Sequence, residues 1–287
     1  MENQTKEDWL YEIKPKTNLL ELNFAEIWRY RDLLMLFVKR DVITLYKQTI
    51  LGPLWYLIQP LFTSVIFTLI FNSVAGIQTG GIPPFLFNLA GVTVWNYFKE
   101  CLIATSDTFK KNENIFGKVY FPRVIMPLSI VISNLLKFGI QMGIFIGFYI
   151  YFVATGWDLK PSSWIVAFPL LIFFMALLGL GLGMIISSMV TKYRDLTFLV
   201  SFGVQLMMYL SLVTIPMSLI EEKVPQLTWL IDLNPMAYII ETSRFMLLGE
   251  GTFTPVNLIY MAIGSFSCFI VGLLIFNKTE KSFIDTI

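Results

Sequence analysis

The stretch WIVAFPLLIFFMALLGLGLGMIISSMV (Trp164–Val190) contains no charged residue. About 20 apolar residues in a helix are enough to cross roughly 30 Å of hydrocarbon, so this stretch predicts a transmembrane helix. The rest of the chain has the same character, because 56% of the 287 residues are apolar and only 14% are charged. A soluble domain carries about 25% charged residues. The composition therefore predicts an all-α polytopic membrane protein.

Six stretches are long and apolar enough to be transmembrane helices, and together they define a transmembrane domain over residues 51–276. The second is the weakest, because Lys99 and Glu100 interrupt its inner half. The six predicted spans are Leu51–Val74, Phe85–Ala104, Arg123–Val153, Trp164–Val190, Leu196–Pro216 and Val256–Phe276.

Lysine and arginine are concentrated in residues 1–50, 106–123, 192–194 and 277–287, and the loops between these regions are nearly bare of them. Loops rich in Lys and Arg stay on the cytoplasmic side of a membrane. The alternation predicts six spans with both termini in the cytoplasm. In a bacterium the membrane would be the cytoplasmic (inner) one.

The composition also argues against several functions. Histidine is absent, which excludes His-dependent hydrolysis and His-ligated metals. Cys101 and Cys268 both lie in apolar segments, so a disulfide or a thiolate metal site is not expected. The net charge of +1 gives no basis for a nucleic-acid partner.

The N-terminal arm, residues 1–50, contains an amphipathic stretch from Phe24 to Gln48 in which charges alternate with apolar residues. Such a helix can lie flat on the inner membrane surface and act as a gate. It can equally pack on its own helix bundle, and the sequence leaves both interpretations open. The candidate gate residues are Trp28, Arg29, Arg40 and Asp41.

The outer segment 217–251 is too apolar for a solvated loop. Asn234 can cap a helix that opens with Pro235, which predicts two short helices dipping back into the bilayer as a re-entrant hairpin. A pair of interfacial helices is the alternative. Glu241 and Arg244 lie three residues apart, a spacing that favours an ion pair on one helix face.

Polar residues recur on one face of three predicted spans. A charge such as Lys137 that faced lipid would cost at least about 2.5–3.5 kcal/mol, so it should face the bundle or a wet path. These stripes either line a translocation path or only bond helices together. The candidates are Trp55, Gln59 and Thr63, then Asn134, Lys137 and Gln141, and finally Ser201, Gln205 and Tyr209.

Small residues also repeat every four positions in two of the spans. This spacing lets helices approach closely and is interpreted as a packing feature. The residues are Gly139, Gly143 and Gly147 in the third span and Gly179 and Gly183 in the fourth.

The inner loop SDTFKKNENIFGKVYFPR (residues 106–123) places basic residues before an exposed aromatic cluster at Val119, Tyr120 and Phe121. This pattern suits docking into a groove of a cytoplasmic partner. It also suits a basic flank that fixes topology, with aromatic anchors at the interface.

Four stretches resemble the permease subunit of ABC exporters for polysaccharide, O antigen and teichoic acid: LYKQTILGPLWYLIQPL (45–61), KVYFPR (118–123), KYRD (192–195) and LNPMAYIIETSRFMLLG (233–249). The resemblance extends from Arg29 to the tail. It implies a coupling helix that sits in a cleft of a nucleotide-binding ATPase subunit and a complex of two permeases with two ATPases. The coupling residues it implies are Asn114, Ile115, Phe116, Gly117, Lys118, Val119 and Tyr120.

The sequence lacks the phosphate-binding pattern GxxxxGK[ST], so no cofactor is expected in this chain, and ATP and Mg²⁺ belong to the partner subunit. The leading hypothesis is a homodimeric permease, without enzymatic activity of its own, that moves a lipid-linked glycan through membrane lipid. Alternatives are an exporter of another amphiphile (a drug or haem), an ion-coupled carrier that uses Lys137 or Glu100, and a membrane enzyme. The lack of His and of clustered carboxylates disfavours the enzyme.

Overall fold

The computed structural model describes residues 24–47, 52–116, 119, 121–193 and 195–284. Within these ranges all regular secondary structure is helical, which confirms the predicted fold class. The helices are α1 (Phe24–Arg29), α2 (Arg31–Tyr46), α3 (Trp55–Phe67), α4 (Pro84–Ser106), α5 (Thr108–Phe116), α6 (Ile125–Ala154), α7 (Phe168–Lys192), α8 (Leu196–Leu210), α9 (Met217–Lys223), α10 (Thr228–Asp232), α11 (Pro235–Leu248) and α12 (Pro255–Ile284).

Four helical segments of the described chain are long and apolar enough to cross a membrane: Trp55–Val74, Ile125–Ala154, Ser163–Lys192 and Pro255–Glu280. They fall on the first, third, fourth and sixth predicted spans. The first consists of α3 and a π-helical continuation, Thr68–Val74. The second predicted span coincides with the more polar helix α4, and the fifth coincides with α8, which has only 15 residues.

Helix α4 is the centre of the bundle, and its residues from Leu86 to Phe98 are all buried. It packs against α3, α6, α7 and α11. Its polar residues are tolerated because they meet protein rather than lipid. Asn88, for example, donates hydrogen bonds to the Thr68 hydroxyl at 3.1 Å and to the side-chain oxygen of Asn72 at 2.8 Å.

Glycines allow α7 to approach α4 closely. A Cβ added at Gly183 would lie 2.5 Å from the Cβ of Thr105, and one at Gly179 would lie 2.9 Å from the Cβ of Cys101. The glycines of α6 differ, because no atom of the described chain would lie within 4 Å of a Cβ at Gly139, Gly143 or Gly147. The equal spacing on the two helices therefore serves close packing within the chain only on α7.

Candidate translocation pathway and coupling surface

Gln59 of the α3 stripe meets the α6 stripe at a small polar cavity. The Lys137 ammonium lies 3.7 Å from a carboxylate oxygen of Glu100 and 5.2 Å from the ring centroid of Tyr56. These side chains surround a cavity of about 30 Å³. Its lining residues are Tyr56, Gln59, Asn96, Tyr97, Lys99, Glu100, Asn134, Lys137 and Gln141.

A second cavity, of about 330 Å³, connects the candidate gate residues to this interior. It shares Asn134 and Lys137 with the smaller cavity and reaches Arg40 and Asp41 on α2. Its remaining lining residues are Thr44, Ala104, Lys111, Asn112, Ile130 and Ser133. We call it the gate cavity. It brings α2, α4, α5 and α6 together around a polar space.

Electrostatically, the cations of the gate cavity are paired with carboxylates at different distances. Arg40 donates two hydrogen bonds to Asp41, at 2.9 and 2.8 Å. The pair of Lys137 with Glu100, at 3.7 Å, is longer than a hydrogen bond. The Lys137 ammonium is therefore held near Glu100 without being fixed to it.

The pair of helices α1 and α2 has two different sides. Phe37 and Val38 of α2 are buried, and α2 packs against α6. Met35 and Leu36 of α2 are exposed. Trp28 and Arg29, which belong to α1, are exposed as well, Trp28 to 70%. The amphipathic pattern thus yields one side that packs on the bundle and another side free to meet lipid or a partner.

The stripe of α8 lies apart from both cavities. Ser201, Gln205 and Tyr209 are exposed on the outside of the chain. Trp55 and Gln59 of α3 are exposed too, although Gln59 also borders the small cavity. Some hydroxyls of the stripes bond to their own helix: Ser201 donates to the Thr197 carbonyl at 3.1 Å and Thr63 to the Gln59 carbonyl at 2.9 Å.

The segment proposed to couple to an ATPase begins in α5, which contains Asn114, Ile115 and Phe116 and has a kink at Asn112. Val119 is 55% exposed, as a docking residue requires. The predictions for Gly117, Lys118 and Tyr120 fall outside the described residues. One expectation is wrong: Phe121, predicted to be part of an exposed cluster, is buried because it packs between Phe37 and Phe116.

Phe121 belongs to a chain of buried rings, which we call the aromatic cluster. Phe37 of α2 lies 5.7 Å from Phe121, centroid to centroid, and Phe121 lies 5.9 Å from Phe116 of α5. Phe116 lies 5.9 Å from Phe109, which stacks on Phe276 of α12 at 4.6 Å. The cluster therefore links α2, α5 and α12.

Arg123 contacts the aromatic cluster at Phe116. Its guanidinium carbon lies 5.0 Å from the ring centroid of Phe116. It donates a hydrogen bond to the Glu280 carbonyl at 3.2 Å and lies 3.9 Å from the Glu280 carboxylate. Arg123 thus binds α12 and contacts α5 with the same side chain.

In segment 217–251, Asn234 caps α11, as predicted from the sequence. Its side-chain oxygen accepts a hydrogen bond from the Met236 amide at 3.0 Å, and Pro235 occupies the first turn. Helix α11 is largely buried against α4, whereas α9 and α10 are only partly buried.

Arg244 is the most deeply buried charge of this outer segment, with 0% of the residue exposed. It lies 3.6 Å from Glu241, which is 3% exposed. The guanidinium donates hydrogen bonds to the Leu212 carbonyl, at 3.0 Å, and to the Val213 carbonyl. Arg244 therefore ties α11 to the segment that follows α8.

Sequence reasoning missed the roles of Phe37, Arg123 and Glu280. A phenylalanine in a chain with 26 of them carries no positional signal. Arg123 had a detectable signal, because it ends the aromatic run before α6, but its partner Glu280 is remote in sequence. Tertiary contacts of this kind are invisible to periodicity.

Together, the long apolar helices and the polar cavities between them are those of a multi-pass membrane protein. Residues 32–248 match the family model described as ABC-2 type transporter, and the chain belongs to that family. This confirms the resemblance noted in the sequence.

Three curated relatives are informative. Two proteins of Klebsiella pneumoniae, each called O-antigen export system permease protein RfbA, are 30% and 31% identical to this chain over 257 and 258 residues, which is 88% of this chain and 94% of theirs. A protein of the same designation from Myxococcus xanthus is 25% identical over 211 residues, 74% of this chain and 78% of its own.

Proposed function

We propose that the chain is the permease subunit of an ATP-driven exporter that moves a lipid-linked polysaccharide, O antigen-like or teichoic acid-like, across the bacterial cytoplasmic membrane. The observation that carries this proposal is the similarity to O-antigen export permeases over nearly their full length. A match that covers 94% of each Klebsiella relative leaves little room for a different architecture.

The topology we propose has six spans, with α4 and α8 added to the four long apolar helices. Helix α4 has 23 residues, about 34 Å at 1.5 Å per residue, and its polar side chains are buried in protein. Helix α8 is shorter, and the segment after it is held by Arg244. The arrangement leaves both termini in the cytoplasm and segment 217–251 outside as a re-entrant hairpin.

A second copy of the chain would complete the path. Gln205 of α8 is exposed between the exposed apolar residues Phe202 and Leu206. An amide facing lipid has no hydrogen-bonding solvent, which is costly. If two copies face each other through this side, Ser201, Gln205 and Tyr209 line a shared conduit with Trp55 and Gln59.

The gate cavity would receive the headgroup of the lipid carrier from the inner leaflet. Three cations of the lining, Arg40, Lys111 and Lys137, outnumber its one carboxylate, Asp41. Thr44, Ser133 and Asn134 provide neutral polar groups. An anionic phosphate suits this lining, because charge-assisted hydrogen bonds are stronger than neutral ones. The apolar carrier chain could then stay in lipid beside the exposed side of α2.

The energy would come from two copies of a separate nucleotide-binding subunit that holds ATP and Mg²⁺. Segment 114–120 would seat in a cleft of that subunit. The segment follows α4 and precedes α6 along the chain, and it contains the exposed Val119, which supports this role.

The test is reconstitution. The chain and its ATPase subunit, purified together and placed in proteoliposomes, should show vanadate-sensitive ATP hydrolysis and ATP-dependent movement of a lipid-linked glycan. Deletion of residues 114–120 should abolish the coupling of ATP hydrolysis to glycan movement. Movement driven by a proton gradient without the ATPase would refute the proposal.

A further inference from the structure

The aromatic cluster joins three elements that the proposed mechanism would otherwise treat separately. Phe116 belongs to α5, Phe37 to α2 and Phe276 to α12. All three side chains are at least nine-tenths buried, with exposures of 7%, 6% and 0%. Packed interiors transmit displacement because they contain little free space. A movement of α5 must therefore displace α2 and α12 or break these contacts.

Arg123 is the residue that fixes the geometry of this junction. It is 6% exposed, and its guanidinium is shared between the face of Phe116 and the backbone and carboxylate of Glu280. A buried guanidinium in such a position is held firmly, because removing the Glu280 carboxylate would weaken the compensation of a buried charge. Arg123 also lies two residues before the start of α6.

We infer that Arg123 is a positioning residue for energy coupling: it locks α5 to the cytoplasmic end of α12, and Phe121 passes the displacement on to Phe37 and thus to α2. The inference rests on the proposed function, because it assigns a route by which a push from the ATPase reaches the gate cavity. It adds α12 to the parts that move with α5.

The route ends at the gate cavity through a short path of contacts. The Arg40 guanidinium carbon lies 4.9 Å from the ring centroid of Phe37, and Arg40 lines the cavity. Lys111 and Asn112 of α5 line the same cavity. A shift of α5 relative to α6 therefore changes the cavity from two sides at once.

The test uses the reconstituted complex of the chain with its ATPase subunit and compares the amount of glycan exported per ATP hydrolysed. Arg123→Gln removes the charge, and Phe121→Leu removes the ring between Phe116 and Phe37. Arg123→Lys keeps a charge for Glu280 but loses the planar group over Phe116, and it serves if Arg123→Gln fails to assemble. We expect ATP hydrolysis to persist while export per ATP falls about tenfold in each.

The matched control is Arg31→Gln. Arg31 also stacks on an aromatic ring, with 5.7 Å between its guanidinium carbon and the Trp28 centroid, and also lies near a carboxylate, Asp32 at 3.9 Å. Its side chain is 53% exposed, so its loss should leave export per ATP unchanged.

A merely structural role would lower the yield of folded complex and leave the ratio of export to hydrolysis intact. The inference alone would be overturned if the wild-type complex exports glycan with ATP and the variants export as much glycan per ATP hydrolysed as the wild type. The variants are Arg123→Gln, Arg123→Lys and Phe121→Leu. A wild-type complex without ATP-driven export would overturn both this inference and the proposed function.

Discussion

The guanidinium of Arg244 lies over the ring of Phe87, with 3.7 Å between its central carbon and the ring centroid. Arg244 belongs to α11 and Phe87 to the buried helix α4. The opposite charge of Glu241 and the carbonyls of Leu212 and Val213 complete the surroundings. One side chain thus joins the outer segment, the end of α8 and the central helix.

Replacement of Arg244 by Gln should lower the free energy of unfolding by about 3–5 kcal/mol, because Glu241 is left buried without its counter-charge. Denaturant unfolding of the purified protein in detergent measures the change. Lys160→Gln is the control, since the ion pair of Lys160 with Asp158 is exposed on both sides and should contribute little. Equal stability of Arg244→Gln and wild type would show that the pair does not hold the outer segment.

Gly183→Ala should destabilise the bundle by about 1–3 kcal/mol, because the added Cβ overlaps Thr105 of α4. Gly143→Ala introduces the same group on α6, where nothing in the described chain lies within 4 Å. The free energy of unfolding of this control should be unchanged or should rise by about 0.5–1 kcal/mol, because alanine has a higher helix propensity than glycine. Thermal unfolding of both variants provides the comparison, and equal effects would contradict the packing described for α7.

Lys137→Gln should reduce the rate of ATP-dependent export about tenfold at limiting glycan, because a charge-assisted contact to an anionic headgroup contributes about 1.5–3 kcal/mol. If Lys137 binds the headgroup, the reduction in export rate should be smaller at saturating glycan. Lys192→Gln, at the exposed C-terminal end of α7, is the control. An equal rate in Lys137→Gln and wild type at low glycan would exclude Lys137 from the headgroup site.

Gln205→Cys should react with a water-soluble thiol reagent, because the proposed conduit gives water access to this side of α8. The background replaces Cys101 and Cys268 with alanine. Ile263→Cys on α12, also exposed in the single chain, should stay unreactive because it faces lipid. Labelling that is equal at the two positions would argue against a wet path along α8.

The helical fold is predictable from the sequence because lipid demands long apolar helices, and such helices are visible in composition. The ion pair of Glu241 and Arg244 is predictable because both residues lie on one helix. The contact of Arg244 with Phe87 is not predictable, because Phe87 lies on a different helix and resembles every other apolar residue of α4. The burial of Phe121 has the same cause: local pattern shows an aromatic run, but only tertiary packing decides which ring of the run is covered.

The candidate site could likewise be predicted only in part from the sequence. Gln59, Asn134, Lys137 and Gln141 share a cavity because their helices face each other, as the stripes suggest. The stripe of α8 has the same spacing as that of α3 but lies on the outside of the chain. Periodicity identifies a polar face and does not identify the neighbour of that face.

The short length of α8 has a consequence for the surrounding bilayer. Fifteen helical residues span about 22 Å, whereas the hydrocarbon core is about 30 Å thick. Beyond Leu210 the backbone turns through Leu212, which has a φ of 55°, and its carbonyls are occupied by Arg244. In the proposed six-span topology, lipid that borders this helix would thin to match it, and a thinner leaflet would lower the barrier for a polar headgroup that crosses beside the protein.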